Sequence, residues 1–222
     1  MKITYLGHAC FIIETNSGVK ILTDPYTKVG YELPCGIQAD VVLVSHSHFD
    51  HNYLAAVQGN PLVIDKAGDF EAFGVKIRGE HSWHDPMQGA LRGANVIFQI
   101  EADGITLCHF GDLGEPLDQI SKKSAFYADV WLLPIGGTYT IDSEEAWKYI
   151  QAYQPKMVIP MHYRPQDGAL DIKDASEFLQ KADKNLLSVY PNGQFLLKKE
   201  DLNTQKTKII YMERCHDAKE RK

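Results

Sequence analysis

Four β-prone apolar residues, Val41-Val42-Leu43-Val44, run directly into Ser45-His46-Ser47-His48-Phe49-Asp50-His51. An apolar run bounded in this way predicts a buried strand, with the histidines placed where that strand must end. Three imidazoles and a carboxylate crowded into six positions serve no packing purpose. They are the donor types that suit zinc or another first-row divalent metal. The chain is therefore expected to build a rigid sheet with functional loops gathered at one edge.

The same event recurs along the chain. Apolar strands predicted to end near Val44, Arg78, Phe110 and Pro160 are each followed by a histidine or aspartate in a loop. His46 and His48 are two apart, so an extended backbone points them the same way. Asp50 and His51 are adjacent and cannot both share that direction. Two metals are the expected outcome, one on His46 and His48, the other on Asp50 and His51. His81, Asp112 and His162 stand at other strand ends and could complete the two sets. A carboxylate can bridge two cations through its two oxygens, so Asp112 is the expected bridge. His84, His109 and His216 read as solvated or hydrogen-bonded histidines, with His109 inside a strand run and suited to a core position.

Two hairpins are predicted, at Asn16-Ser17-Gly18 and Ala102-Asp103-Gly104. Residues 24–36 should form a long irregular loop and residues 53–58 a short helix. Asp142 and Glu145 resemble a capping box ahead of a helix whose apolar face is Ala146, Trp147, Ile150 and Tyr153. A second helix is expected over residues 174–182. Strands come first and last with helices between, which gives an α+β chain of two packed sheets with helices outside. One domain is expected over residues 1–200, with 201–222 a charged extension.

The formal charge of −6 and a pI near 5.8 argue against a nucleic-acid partner, because phosphate binding needs clustered Lys and Arg. No stretch approaches the ~20 apolar residues of a membrane span, and no signal peptide is visible, so a cytoplasmic protein is expected. The four cysteines form no Cys-x-x-Cys pair and read as free thiols. The expected partner is a small-molecule substrate, and a homo-oligomer is compatible with the sequence.

The segment 45–51 resembles the His-x-His-x-Asp-His signature of the metallo-β-lactamase superfamily. The likeness continues through Gly7-His8-Ala9-Cys10-Phe11, Leu22-Thr23-Asp24-Pro25, Glu80-His81-Ser82, Phe110-Gly111-Asp112, Pro134-Ile135-Gly136-Gly137 and Pro160-Met161-His162-Tyr163. It covers about residues 1–200 in the right order. It is closest in kind to the compact zinc-dependent hydrolases related to ascorbate-6-phosphate lactonase and N-acyl-phosphatidylethanolamine phospholipase D. The chain is shorter than both, and neither substrate carries over.

The resemblance implies a four-layer αββα sandwich. It puts His46, His48 and His81 on one metal, Asp50, His51 and His162 on a second, and Asp112 between them. It also places Asp24 behind the ligand histidines, a position extended here to His8. Two divalent ions, zinc or alternatively manganese, would hold a bridging hydroxide that cleaves an ester, lactone or phosphodiester. Asp50 would also take up a proton in catalysis. His8, His84, Tyr139 and Tyr163 are candidates for substrate contact, and Arg92, Tyr31 and Tyr139 for binding an anionic group. The alternatives are a mononuclear iron dioxygenase and a catalytically silent metal-binding protein of the same fold.

Overall fold

A computed structural model describes residues 1–215. Strands dominate. The first seven are β1 (Lys2–Gly7), β2 (Cys10–Glu14), β3 (Lys20–Thr23), β4 (Ile37–Gln38), β5 (Val41–Leu43), β6 (Val57–Gln58) and β7 (Leu62–Ile64). Next come β8 (Gly68–Ala72), β9 (Val75–Trp83), β10 (Ala94–Ala102), β11 (Ile105–His109), β12 (Val130–Pro134) and β13 (Met157–Met161). β14 (Leu187–Tyr190), β15 (Gln194–Leu196) and β16 (Lys208–Met212) complete the set, with helices α1 (Ser143–Tyr153) and α2 (Ser176–Gln180) flanking β13 in sequence.

They form a six-stranded sheet, β15-β1-β2-β3-β5-β7, and an eight-stranded sheet, β14-β16-β13-β12-β11-β10-β9-β8. Both are mixed, and together they make the metallo-β-lactamase fold. Alternation decides which residues meet between them. Phe11, Ile13, Ile21, Val41 and Leu43 face the main core with Phe98, Leu107, Leu132 and Ile159. Their neighbours Cys10, Leu22, Val42 and Val44 face the other way, into a second apolar cluster closed by Tyr26, Val29, Tyr31 and Ile37. The outer face of the smaller sheet is thus sealed by the irregular segment 24–40, and no α-helix covers it among the described residues.

The first helix starts as expected, since Asp142 accepts from the Glu145 amide at 3.0 Å. The reciprocal half of the capping box is absent. The Glu145 carboxylate is drawn instead to the Leu117 amide at 2.6 Å and to Lys148. The predicted helix at 53–58 is a short 3₁₀ turn over Leu54–Ala56, because Val57 and Gln58 leave it to pair with β4.

Within the expected extension, residues 201–215 add a strand to the larger sheet. β16 lies inside the larger sheet between β13 and β14, with Ile209, Ile210 and Met212 buried. The charged residues around that strand hide its apolar core in the sequence. His216 and the rest of the expected tail lie outside the described residues.

β1, β3 and β5 run in one direction in their sheet, as do β9, β11, β12 and β13 in theirs. The residues just beyond six of these strands are His8, Asp24, the 45–51 segment, His84, Asp112 and His162. Topology alone therefore brings them to one edge of the sandwich.

Candidate metal centre

Three groups of donor atoms lie within 4.8 Å of one another: His46, His48 and His84; His46, His51 and Asp112; and His8, Asp50, His51 and His162. Asp112 stands between the two sides. Its Oδ2 is 3.1 Å from Nε2 of both His84 and His162, and its Oδ1 is 3.2 Å from His51 Nε2. The candidate donors named from the sequence, His81 apart, therefore lie together, and His84 and His8 join them.

The exception lies near the end of β9. His81 is exposed, packs edge-on against Trp83 at a ring separation of 4.3 Å, and lies outside the donor cluster. His84 is buried and occupies the position expected of His81. The two are an odd number of residues apart, so an extended chain directs them to opposite faces. β9 also continues to Trp83 rather than ending near Arg78, which moves the functional loop further along the chain.

Hydrogen bonds at the far side of the rings decide where the lone pairs point. The His84 Nδ1–H donates to the Tyr139 carbonyl at 3.0 Å, which can only accept. The His51 Nδ1–H donates to Asp24 Oδ2 at 2.9 Å. Ser45 Oγ donates to Asp24 at 2.7 Å, so it accepts from His46 Nδ1–H at 2.9 Å. In the neutral form all three rings then turn a bare Nε2 toward the cluster, as metal-binding histidines do. His109 shows the opposite pattern. Its Nε2–H donates to the Ala9 carbonyl and its Nδ1 accepts from the Gly111 amide, which leaves nothing for a cation.

Buried polar atoms ordinarily find a partner. Here His46 Nε2, His51 Nε2, His162 Nε2 and Asp112 Oδ1 are buried without a hydrogen bond. They converge on the same small volume, so cations fit as the missing partner of all four.

Burial is the largest influence on each of these groups. It pushes His46 well below the ordinary histidine value, with His51 adding to the effect. It draws His8 down to about 4, helped by the neighbouring His162. Burial would raise the carboxyls, yet His162 and His51 outweigh it and hold Asp112 well below the carboxylate range. Asp50 is depressed in the same way, by the His8 hydrogen bond and His51. Only His51 is raised, because Asp112 and Asp24 overcome the effect of burial. Asp112 and Asp50 are thus held as carboxylates and burial favours the neutral rings of His46 and His8, the forms that bind metal, while His51 would give up a proton on binding.

The supporting residues are less visible in sequence. Asp24 accepts from the Ser45 amide and hydroxyl as well as from His51, and is wholly buried, as expected of the residue behind the ligands. Asn95 was not anticipated. Its amide nitrogen donates to Ser82 Oγ and the Phe110 carbonyl, while its oxygen accepts from the Asp112 amide at 2.9 Å. Gly111, at φ +54°, brings this loop so close that an added Cβ would lie 2.5 Å from Ser45 Cβ and collide with Asn95 Oδ1. His8, Asp24 and His162 also have positive φ, at 54°, 38° and 52°. Such strain clusters at functional sites and is held by the surrounding structure. His8 is closer to the centre than expected, with Nε2 3.2 Å from Asp50 Oδ2 and its ring 4.2 Å from that of His162.

A hollow of about 290 Å³ opens onto the centre, lined by His48, Phe49, Asp50, His84, Arg92, Asp112, Tyr139 and Leu170. Tyr139 therefore stands where a substrate contact was expected. Tyr163 does not. Its hydroxyl donates to the Met212 carbonyl at 3.0 Å, and its ring lines a separate hollow of about 690 Å³ with Tyr5, Tyr31, Tyr211 and Arg214. The left-handed turn at His162 sends the next side chain away from the centre. Tyr31 faces that second hollow too, against the Arg214 guanidinium, and does not reach the metal-type donors.

Comparison with known proteins agrees with this architecture. A family model described as a β-lactamase superfamily domain matches residues 2–162. A UPF0173 metal-dependent hydrolase of Carboxydothermus hydrogenoformans is 34% identical over 194 residues, 73% of this chain and 84% of that one. One from Pelotomaculum thermopropionicum is 34% identical over 227 residues, 85% of this chain and 97% of its own. A Thermotoga maritima crystal structure, provisionally assigned as a Zn-dependent hydrolase of the metallo-β-lactamase superfamily, superposes with a TM-score of 0.74. It is 33% identical, with 96% of this chain and 99% of that chain covered. The chain belongs to the UPF0173 metal-dependent hydrolase family of the metallo-β-lactamase superfamily.

Proposed function

We propose that this metal-dependent hydrolase works with two divalent ions, zinc with manganese as the alternative, and cleaves an ester, lactone or phosphodiester. His46, His48 and His84 would hold one ion. Asp50, His51 and His162 would hold the other, with His8 beside them and Asp112 shared. The observation that carries the reading is Asp112, whose two oxygens are approached by ring nitrogens from both sides at 3.1–3.2 Å. Divalent ions at such a centre polarise the oxygen under attack and make water acidic enough to react near neutral pH.

The chain's own groups divide the remaining work. Asp24 and Ser45 fix the His46 and His51 rings with the Nε2 lone pair inward. Asp50 lines the hollow, where its carboxylate would take up a proton released during attack. His8, held against Asp50, keeps that carboxylate oriented. Phe49 and Leu170 give part of the hollow an apolar lining.

The test is metal quantification on protein purified without added metal, coupled to esterase, lactonase and phosphodiesterase assays. Two equivalents of zinc or manganese with turnover support the proposal. A single iron with dioxygen uptake overturns it.

A further inference from the structure

One wall of the hollow carries a charge that the metal centre does not use. Arg92 lines the hollow, half-buried, with its guanidinium 5.3 Å from the Tyr139 ring centroid. Among the described residues no carboxylate pairs with it, whereas Arg78 and Arg214 are matched to Asp69 and Asp167. Among the described residues, Arg92 is the sole lysine or arginine lining this hollow. A chain of net charge −6 repels anions at long range, so a lone guanidinium here acts locally and selectively.

The position of Arg92 is built. Asp85, wholly buried, accepts hydrogen bonds from the amides of Met87, Gly89, Leu91 and Arg92 at 2.8–3.0 Å. One carboxylate thus folds the entire loop between His84 and Gly93 and fixes the backbone from which Arg92 projects. Part of the lining is apolar. Phe49 is 53% exposed, and with Leu170 it offers uncovered surface beside the donors. At about 290 Å³ the hollow holds roughly ten water volumes, which matches a ligand of modest size.

Resting on the hydrolase reading above, we propose that the substrate is a small ester or lactone bearing a separate anionic group. Arg92 binds that group while Phe49 and Leu170 cover the apolar part. Water adds to the acyl carbon, the acyl C–O bond breaks, and the leaving alcohol receives the proton. The anion takes no part in the bond change; it sets the register of the substrate against the metal centre.

The test compares three 4-nitrophenyl esters on the metal-loaded protein: of glutarate with a free carboxylate, of 4-phosphonobutyrate, and of neutral monomethyl glutarate. The wild type should favour at least one charged ester tenfold or more in kcat/KM, chiefly through KM. In Arg92→Met that preference should collapse, and Arg92→Lys should restore part of it. Metal content and melting temperature verify that each variant is folded and loaded. The better of the two charged esters identifies the anion. No preference for charge in the wild type, or the same preference in Arg92→Met, overturns the proposal. If the wild type cleaves none of the three, the ester reading fails, and calorimetry with glutarate and phosphonobutyrate then decides the anion site. Affinity falling at least tenfold in Arg92→Met upholds Arg92 as the anion contact, and equal affinity in both proteins refutes it.

Discussion

Asp24 Oδ2 lies 2.9 Å from His51 Nδ1, and both side chains are buried from solvent. Through the same carboxylate Asp24 also takes the Ser45 hydroxyl, which in turn receives His46 Nδ1–H. One aspartate therefore sets the tautomer of a ring on each side of the centre. Partners of this kind are typically worth about 10–100-fold in metal affinity. Asp24→Asn should weaken metal binding by about that factor in a chelator competition. Affinity equal to wild type would mean that the rings are held by other means.

His81 and His84 make a paired prediction. His84→Ala should lower metal-dependent turnover by about 100-fold or more, since it removes a donor facing Asp112 at 3.1 Å. His81→Ala should stay within about twofold of wild type, because the ring is exposed and its aromatic contact among the described residues is Trp83. The reverse ranking in parallel assays and metal analyses would refute the assignment of these two residues.

Asn95 is a test of stability more than of chemistry. Asn95→Ala removes three buried hydrogen bonds and leaves the Asp112 amide and Phe110 carbonyl unpaired. The expected cost is about 2–4 kcal/mol in a denaturant titration of the metal-free protein. A change below about 0.5 kcal/mol would show that water replaces the lost partners.

The Asp85 loop gives a pH dependence. Burial would raise this carboxyl, but the Arg92, Met87, Leu91 and Gly89 amides prevail and leave it below its ordinary value of 3.8. A depressed carboxyl contributes stability that is present above the unfolded-state value and lost as pH falls through the folded-state value. In Asp85→Asn this acid-dependent loss should be missing, so the stability gap between wild type and variant should narrow below about pH 4. A gap of constant size from pH 6 to 3 in urea titrations would contradict it.

Removing metal should be felt by the fold itself. The bare atoms of His46, His51, His162 and Asp112 are buried regardless of occupancy. Zinc at 100 times its dissociation constant should add about 2.7 kcal/mol to the wild type. Asp112→Ala should gain much less, and equal shifts in both proteins by thermal denaturation would argue against a shared carboxylate.

The sequence disclosed those parts of the centre in which chemistry is concentrated locally. Residues 45–51 are contiguous, so their composition alone marks them, and Asp112 and His162 follow apolar strands with clear ends. His84 was obscured because β9 is longer than its apolar pattern: Arg78, Glu80 and His81 interrupt the run although the strand reaches Trp83. Asn95 and Asp85 work through backbone amides, and a single polar residue bonding to amides carries no spacing signal. Tyr163 misled for the opposite reason, since adjacency to His162 in sequence does not survive a left-handed turn. In the fold, the continuous apolar run marked β5 as buried, but nothing in it showed that an irregular segment covers one of its faces.

The placement of β16 bears on biosynthesis. Its partners are β13, the strand that leads into His162, and β14, and it follows both in sequence, so it leaves the ribosome after them. Until it arrives, β13 has a bare edge on that side, and the strand that positions the last donor is free to fray. During synthesis the contiguous 45–51 donors can therefore be presented before the strand that leads into His162 gains its β16 partner.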